Sequence, residues 1–88
     1  MALKVLSFYQ DGCMACGEQE PILQEVKKDL GIDIDEVNAV KEPQYIKEFG
    51  LRVTPTTLVL VDGEVKERME GLVHREDLET SIRKYTEG

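Results

Sequence analysis

The sequence has no tryptophan, a single histidine, two cysteines and three prolines among its 88 residues. Basic residues are outnumbered, 11 against 18 acidic ones, for a formal net charge of −7. That balance argues against nucleic acid and anionic membrane surfaces as partners, because both reward basic patches. Long apolar runs are absent: residues 57–61 form the longest candidate, well short of the roughly 20 residues that span a bilayer. The start, Met-Ala-Leu-Lys, has no apolar core after its first charge, as a secretory leader would. The expectation is a cytoplasmic protein. Two cysteines and one histidine also fall short of the four N/S ligands of a structural zinc site. Zinc here would need a carboxylate or a second chain. No repeat, low-complexity tract or linker interrupts the chain, so one domain over residues 1–88 is expected.

What is present is ordered in short alternating blocks. Residues 3–9 are mostly apolar and read as a buried strand. After the turn Gln10-Asp11-Gly12 comes Cys13-Met14-Ala15-Cys16, then a helical stretch with Leu23, Val26 and Leu30 on one face and Gly31 as its stop. Residues 32–35 alternate and predict a strand with one wet face. Pro43 opens a short helix bearing Tyr45, Ile46 and Phe49, which Gly50 ends. Residues 56–61 are β-branched and apolar, hence another buried strand. Asp62-Gly63 signals a hairpin into residues 64–70, with Val65 and Met69 on one face and Lys66, Arg68 and Glu70 on the other. A last helix runs over about residues 74–85.

The order β-α-β-α-β-β-α predicts its own arrangement. The two strands that are apolar on both faces belong at the centre of a sheet covered by helices on both sides. The charged, alternating strands suit its edges. A right-handed crossover makes the first and second strands parallel neighbours, and the hairpin pairs the third with the fourth. An α/β fold with sheet order 2-1-3-4 follows. The cysteine pair then lies beyond the C-terminal end of a central strand, where open α/β sheets place their sites.

Residues three apart on a helical turn are spatial neighbours, so Cys13 and Cys16 fit the roughly 4.4–6.8 Å between Cα atoms that a disulfide needs. The first cysteine precedes the helix, where unsatisfied N–H groups and the helix dipole favour a thiolate. Cys13 is therefore the expected nucleophile, and Cys16, one turn inside, the expected resolving thiol. Asp11, Glu18 and Glu20 flank the pair with no nearby Lys or Arg. Their charge opposes thiolate formation and places Cys13 toward the less acidic end of such thiols. Zinc ligation and a passive disulfide are the competing readings of the pair itself.

These blocks together resemble the thioredoxin family. The residues that carry the resemblance are Cys13-Met14-Ala15-Cys16 after a strand and turn, Val53-Thr54-Pro55-Thr56 opening a later strand, the Asp62-Gly63 hairpin and the late Gly71. The chain is similar to the minimal, glutaredoxin-sized versions found in archaea and some bacteria, without the strand and helix that thioredoxin carries at its N-terminus. The resemblance implies a protein-disulfide reductase that needs no cofactor, acts on disulfide-containing proteins and is recycled by an upstream reductase. A monomer is the default. It implies that Pro55 is cis and packs against the cysteines. It implies further that Thr54 offers its backbone to an extended substrate, and that Gly71 and Leu72 line the other side of the groove. Met14 and Ala15, between the cysteines, would touch the partner. It also implies that the first helix runs through Pro21 with a kink, whereas local rules alone start that helix at Pro21.

The chain departs from the family at telling places. Gly12 stands where thioredoxin has tryptophan, Met14-Ala15 where it has Gly-Pro, and Ser7 where it has a buried aspartate thought to help proton transfer. A serine hydroxyl positions water but is a poor base near neutral pH. Two alternatives accompany the reductase reading. One is a redox-inactive module that keeps the fold as a binding surface. The other is a glutathione-dependent, glutaredoxin-like activity in which Glu76-Asp77 hold glutathione; acidic residues in a first helical turn also simply complement the dipole. His74 reads as a helix-start residue.

Overall fold

Strand β1 spans Leu3–Tyr9 and is buried through its middle on both sides. In this computed structural model, which describes residues 2–86, six further elements follow it: α1 (Met14–Leu30), β2 (Asp35–Asn38), α2 (Gln44–Phe49), β3 (Thr56–Val61), β4 (Glu64–Glu70) and α3 (Arg75–Thr86). The sheet order is β2-β1-β3-β4. β1 pairs parallel with β2 and antiparallel with β3, and β3 pairs antiparallel with β4. This is the expected topology. All six residues of β3 are buried, as its unbroken apolar and β-branched run requires.

The alternation of β1 divides two cores. Val5 faces Leu23 and Val26 of α1 and Leu78 and Ile82 of α3. Leu6 and Phe8 face the opposite way, toward Tyr45 and Phe49 of α2. The three rings of Phe8, Tyr45 and Phe49 meet with centroids 5.6–5.9 Å apart, within the range of favourable aromatic pairs. Helices thus cover both faces of the sheet.

Two expectations are corrected in detail. The second strand lies at Asp35–Asn38, not over residues 32–35. Ile34 is buried and Ile32 packs on the same core, so the alternation there is real, but it records docking under α1 and not a hydrogen-bonded ladder. Gly31 takes the left-handed conformation that ends α1, Ile32 N–H bonds back to Lys27 O, and Asp33 Oδ1 accepts from Ile34 N–H. Pairing with β1 begins only where Asp35 reaches Leu6.

Second, Val65 and Met69 do not share a face. A register shift between Val59 and Leu60 pairs them with Glu67 and Val65, leaving Lys66 as the extra residue of a bulge. Val65 therefore packs under α2, while Met69 packs on the α1–α3 side. The first helix does run through Pro21, as the resemblance implies: α1 is already helical at Met14 and contains the proline. The cap at Cys13 starts the helix about two turns before the position that local proline rules suggest. Proline is tolerated there because Pro21 is on the exposed side of the helix.

Candidate active site

The turn after β1 ends at Gly12, whose φ of +79° places it in a region open chiefly to glycine. Cys13 then takes an extended conformation (φ −92°, ψ 111°) as the cap residue of α1. Its Sγ accepts a hydrogen bond from the Cys16 backbone N–H at 3.2 Å. That N–H belongs to the unsatisfied first turn of a 17-residue helix, a setting that stabilises negative charge on sulfur. Cys13 and Cys16 are joined as a disulfide with their Cα atoms 5.2 Å apart. Cys16 is 8% exposed and Cys13 half-buried, so the second sulfur is the better shielded. Met14, between them in the sequence, is 86% exposed.

The Thr54-Pro55 peptide bond is cis, as the resemblance implies. It brings Thr54 against the cysteine pair: Thr54 Oγ1 and Thr54 O each lie 3.6 Å from Cys13 Sγ. In the disulfide the sulfur accepts from the hydroxyl; a Cys13 thiol would donate to the carbonyl. Pro55 is buried and lines the same cleft as both cysteines. Gly71 N–H bonds to Pro55 O at 2.8 Å, which holds the loop after β4 beside the cis proline. Leu72 follows it, half-buried. The fold thus gathers Cys13, Cys16, Thr54, Pro55 and Gly71 into one corner. Ala15 is half-buried on the first helical turn.

Behind the sulfurs is a cleft of about 200 Å³ lined by polar groups, among them Ser7, Gln19, Glu20 and Glu36. Ser7 is buried, and its register partner across β1 and β2 is Glu36. The Glu36 carboxylate is held by Lys27 Nζ at 3.1 Å and Gln24 Nε2 at 3.2 Å. Two of these residues, Gln19 and Glu36, had no assigned role from sequence. Gln19 is buried on α1 three residues after Cys16. Its carboxamide donates to Val73 O at 2.9 Å and accepts from Val73 N–H at 2.8 Å, clamping the loop that holds Gly71 and Leu72. A polar residue inside the buried stripe Cys16, Gln19, Leu23, Val26 was the available signal. Glu36 was invisible because it depends on the strand register.

Other singled-out residues lie elsewhere. Glu76 and Asp77 occupy the first turn of α3 and, with His74 and Arg75, line an open groove that includes neither cysteine. Among the described residues no group of three or more His, Cys, Asp or Glu side chains is placed to hold a metal ion. No helix among them is long and apolar enough to cross a membrane.

Comparison with known proteins agrees with this geometry. The thioredoxin family model matches residues 2–84. A thioredoxin of Listeria monocytogenes is 31% identical over 85 residues, covering 94% of this chain and 82% of that protein. A chloroplastic M-type thioredoxin of Zea mays is 32% identical, covering 92% of this chain and 50% of its own length. Among solved structures, a malaria-parasite thioredoxin-2, described as a component of that parasite's protein secretion machinery, aligns with a TM-score of 0.90 at 26% identity. The alignment covers 96% of this chain and 84% of that one.

Proposed function

The chain belongs to the thioredoxin family and is a thiol–disulfide oxidoreductase, and from that premise we propose that it works as a protein-disulfide reductase with Cys13 as nucleophile and Cys16 as resolving thiol. The observation that carries this assignment is the asymmetry of the pair: the Cys13 sulfur takes the helix-start N–H, and Cys16 is shielded behind it. In the reduced protein, Cys13 thiolate attacks one sulfur of the substrate disulfide. The Cys13–substrate bond forms, the substrate S–S bond breaks, and the departing thiolate takes a proton from water. Cys16, once deprotonated, then attacks Cys13 Sγ. The intramolecular disulfide forms and the second substrate sulfur leaves as a thiolate. Two electrons have passed to the substrate, and the disulfide described above is the oxidised product. An upstream reductase returns the pair to the dithiol.

In this reading the proton of Cys16 leaves through the cleft that Cys16 lines together with Ser7, Glu20 and Glu36. Thr54, against the sulfur and half-buried, suits an extended substrate that pairs with its backbone, with Gly71 and Leu72 opposite and Met14 at the rim. Ala15 contributes backbone on the same first turn. The same reading takes the 88 residues as one domain, acting as a monomer in the cytoplasm on protein disulfides.

Insulin reduction driven by dithiothreitol tests the assignment. Cys13→Ser should fall to the background rate. Cys16→Ser should form a mixed disulfide with insulin that persists on a non-reducing gel. Stable adducts from Cys13→Ser instead would exchange the two roles, and background rates for wild type would remove the reductase reading.

A further inference from the structure

The second step of the exchange makes a demand that the first does not. Cys13 has the helix start to favour its thiolate, whereas Cys16 is 8% exposed and must lose its proton away from bulk water. Ser7 stands where the family has a buried aspartate, and its hydroxyl is a poor base. Two carboxylates line the cleft with Cys16: Glu20 and Glu36. They differ in how they are held. Glu20 is exposed on α1, one turn after Cys16. Glu36 enters from β2 with its side chain 27% exposed, and both of its donors bind the same oxygen. Lys27 Nζ and Gln24 Nε2 reach Oε2 at 3.1 and 3.2 Å, leaving Oε1 without a donor among the described residues.

We infer that Glu36 Oε1 takes the Cys16 proton, through water in the cleft, as Cys16 attacks the mixed disulfide, and that Lys27 and Gln24 are the positioning residues that hold the carboxylate for it. The inference rests on the reductase reading. Glu36 and Ser7 are register partners on adjacent strands, so their side chains leave the sheet on one face, toward α1. A polar cleft of about 200 Å³ has room for water. The step balances. The Cys16 S–H bond breaks and its proton passes by way of water to Oε1. The sulfur keeps the electron pair and bonds to Cys13 Sγ, and the substrate sulfur leaves as a thiolate. Glu36 then sheds the proton to bulk water, to which its side chain is partly open.

The surroundings support this assignment. From α1, Lys27 is the cation that faces Glu36, and Glu20 is the like charge across the cleft. From β1 come Ser7 and the Tyr9 phenol. Lys4 pairs with Asp35 at 3.8 Å on the opposite face of the sheet and does not compete. The other buried polar side chain of the cleft, Gln19, has both ends of its carboxamide engaged by Val73. A carboxylate fixed through one oxygen and free at the other is the group there that is anchored and still able to accept a proton.

The test mixes fully reduced protein with an oxidised peptide, quenches in acid and follows the mixed disulfide by mass spectrometry. Its formation reports the attack of Cys13, and its decay the attack of Cys16. Glu36→Gln should slow the decay about a hundredfold at pH 7, so that the adduct accumulates. The gap should close toward about pH 9, where a thiol of ordinary pKa, about 8.5, loses its proton unaided. Glu36→Asp should recover part of the rate. Lys27→Met should slow the decay less than Glu36→Gln does, because it loosens the carboxylate without removing it. A Glu36→Gln decay within about threefold of wild type would overturn the assignment. So would a slowing of both steps alike at every pH, which marks a structural role, or an equal slowing by Glu20→Gln. The two readings fail separately. If wild type reduces the peptide and Glu36→Gln resolves the adduct as fast, Glu36 is dismissed and the reductase stands; if wild type forms no adduct and reduces nothing, the reductase reading fails and Glu36 with it.

Discussion

Two adjacent threonines in β3 should respond with opposite sign to the same substitution. Both are fully buried. Thr56 Oγ1 donates to Val53 O at 2.7 Å. Thr57 Oγ1 has no hydrogen-bond partner among the described residues. It faces the α1–α3 core between its register partners Ser7 and Met69. An unsatisfied buried hydroxyl costs about 1–3 kcal/mol relative to its hydrated state. Thr57→Val removes that cost, keeps the β-branched shape suited to a strand, and adds about 0.8 kcal/mol of methyl burial. Part of the sum is lost to the larger methyl group in a packed site, so a net gain of about 1–2 kcal/mol is expected. Thr56→Val instead deletes a made hydrogen bond and presses a methyl group against a carbonyl oxygen where only a hydroxyl fits. A loss of about 1 kcal/mol follows. Urea unfolding with a common m-value would give both numbers, and the thermal midpoints should move in opposite directions by about 4–8 °C per kcal/mol. A destabilised Thr57→Val would refute the reasoning, because it would mean that the hydroxyl is satisfied in solution. Stabilisation by both substitutions would show that methyl burial alone governs this strand.

Further expectations follow from the same structure. Gln19→Leu should destabilise by about 2–4 kcal/mol, since it strands both the N–H and the C=O of Val73 in a buried place; chemical denaturation checks this, and a change under about 0.5 kcal/mol would mean that the clamp is dispensable. The Tyr85 hydroxyl donates to Glu67 at 2.8 Å, and that bond, more than burial or the carboxylate's charge, raises the phenol pKa above its ordinary value of 10.0. A raised folded-state pKa adds stability that is complete below the unfolded value and is lost as pH rises through the folded one. Tyr85→Phe should therefore be less stable than wild type at neutral pH, with the gap closing above about pH 10. Unfolding measured from pH 7 to 11 reads this, and a pH-independent difference would contradict the hydrogen bond as its cause.

Some of the fold was legible because the signals are local. The runs at residues 3–9, 56–61 and 64–70 coincide with β1, β3 and β4 to the residue, since each is bounded by a turn whose chemistry is written in the sequence. Topology followed from burial pattern and handedness. β2 was misplaced because Asp35–Asn38 has a single aliphatic residue and is a strand only through pairing with β1. The bulge near Leu60 was invisible for a related reason: a strand's face alternates in sequence, but the partner decides where the alternation is broken.

For the site, the sequence by itself determined the redox pair and supplied the grounds for the order proposed for it. Spacing puts two sulfurs within bonding reach, and the first stands at the start of a helix, a setting that favours a thiolate. It also contained Thr54-Pro55, whose role the family resemblance supplied. Only the tertiary structure decided what surrounds the pair, because those neighbours are far apart along the chain. Thr54 reaches Cys13 from 41 positions away, and Gln19 binds Val73 from 54. Glu36 enters the rear cleft by strand register. Reactivity is a property of the local turn, while proton handling belongs to surfaces that exist only once the sheet has assembled.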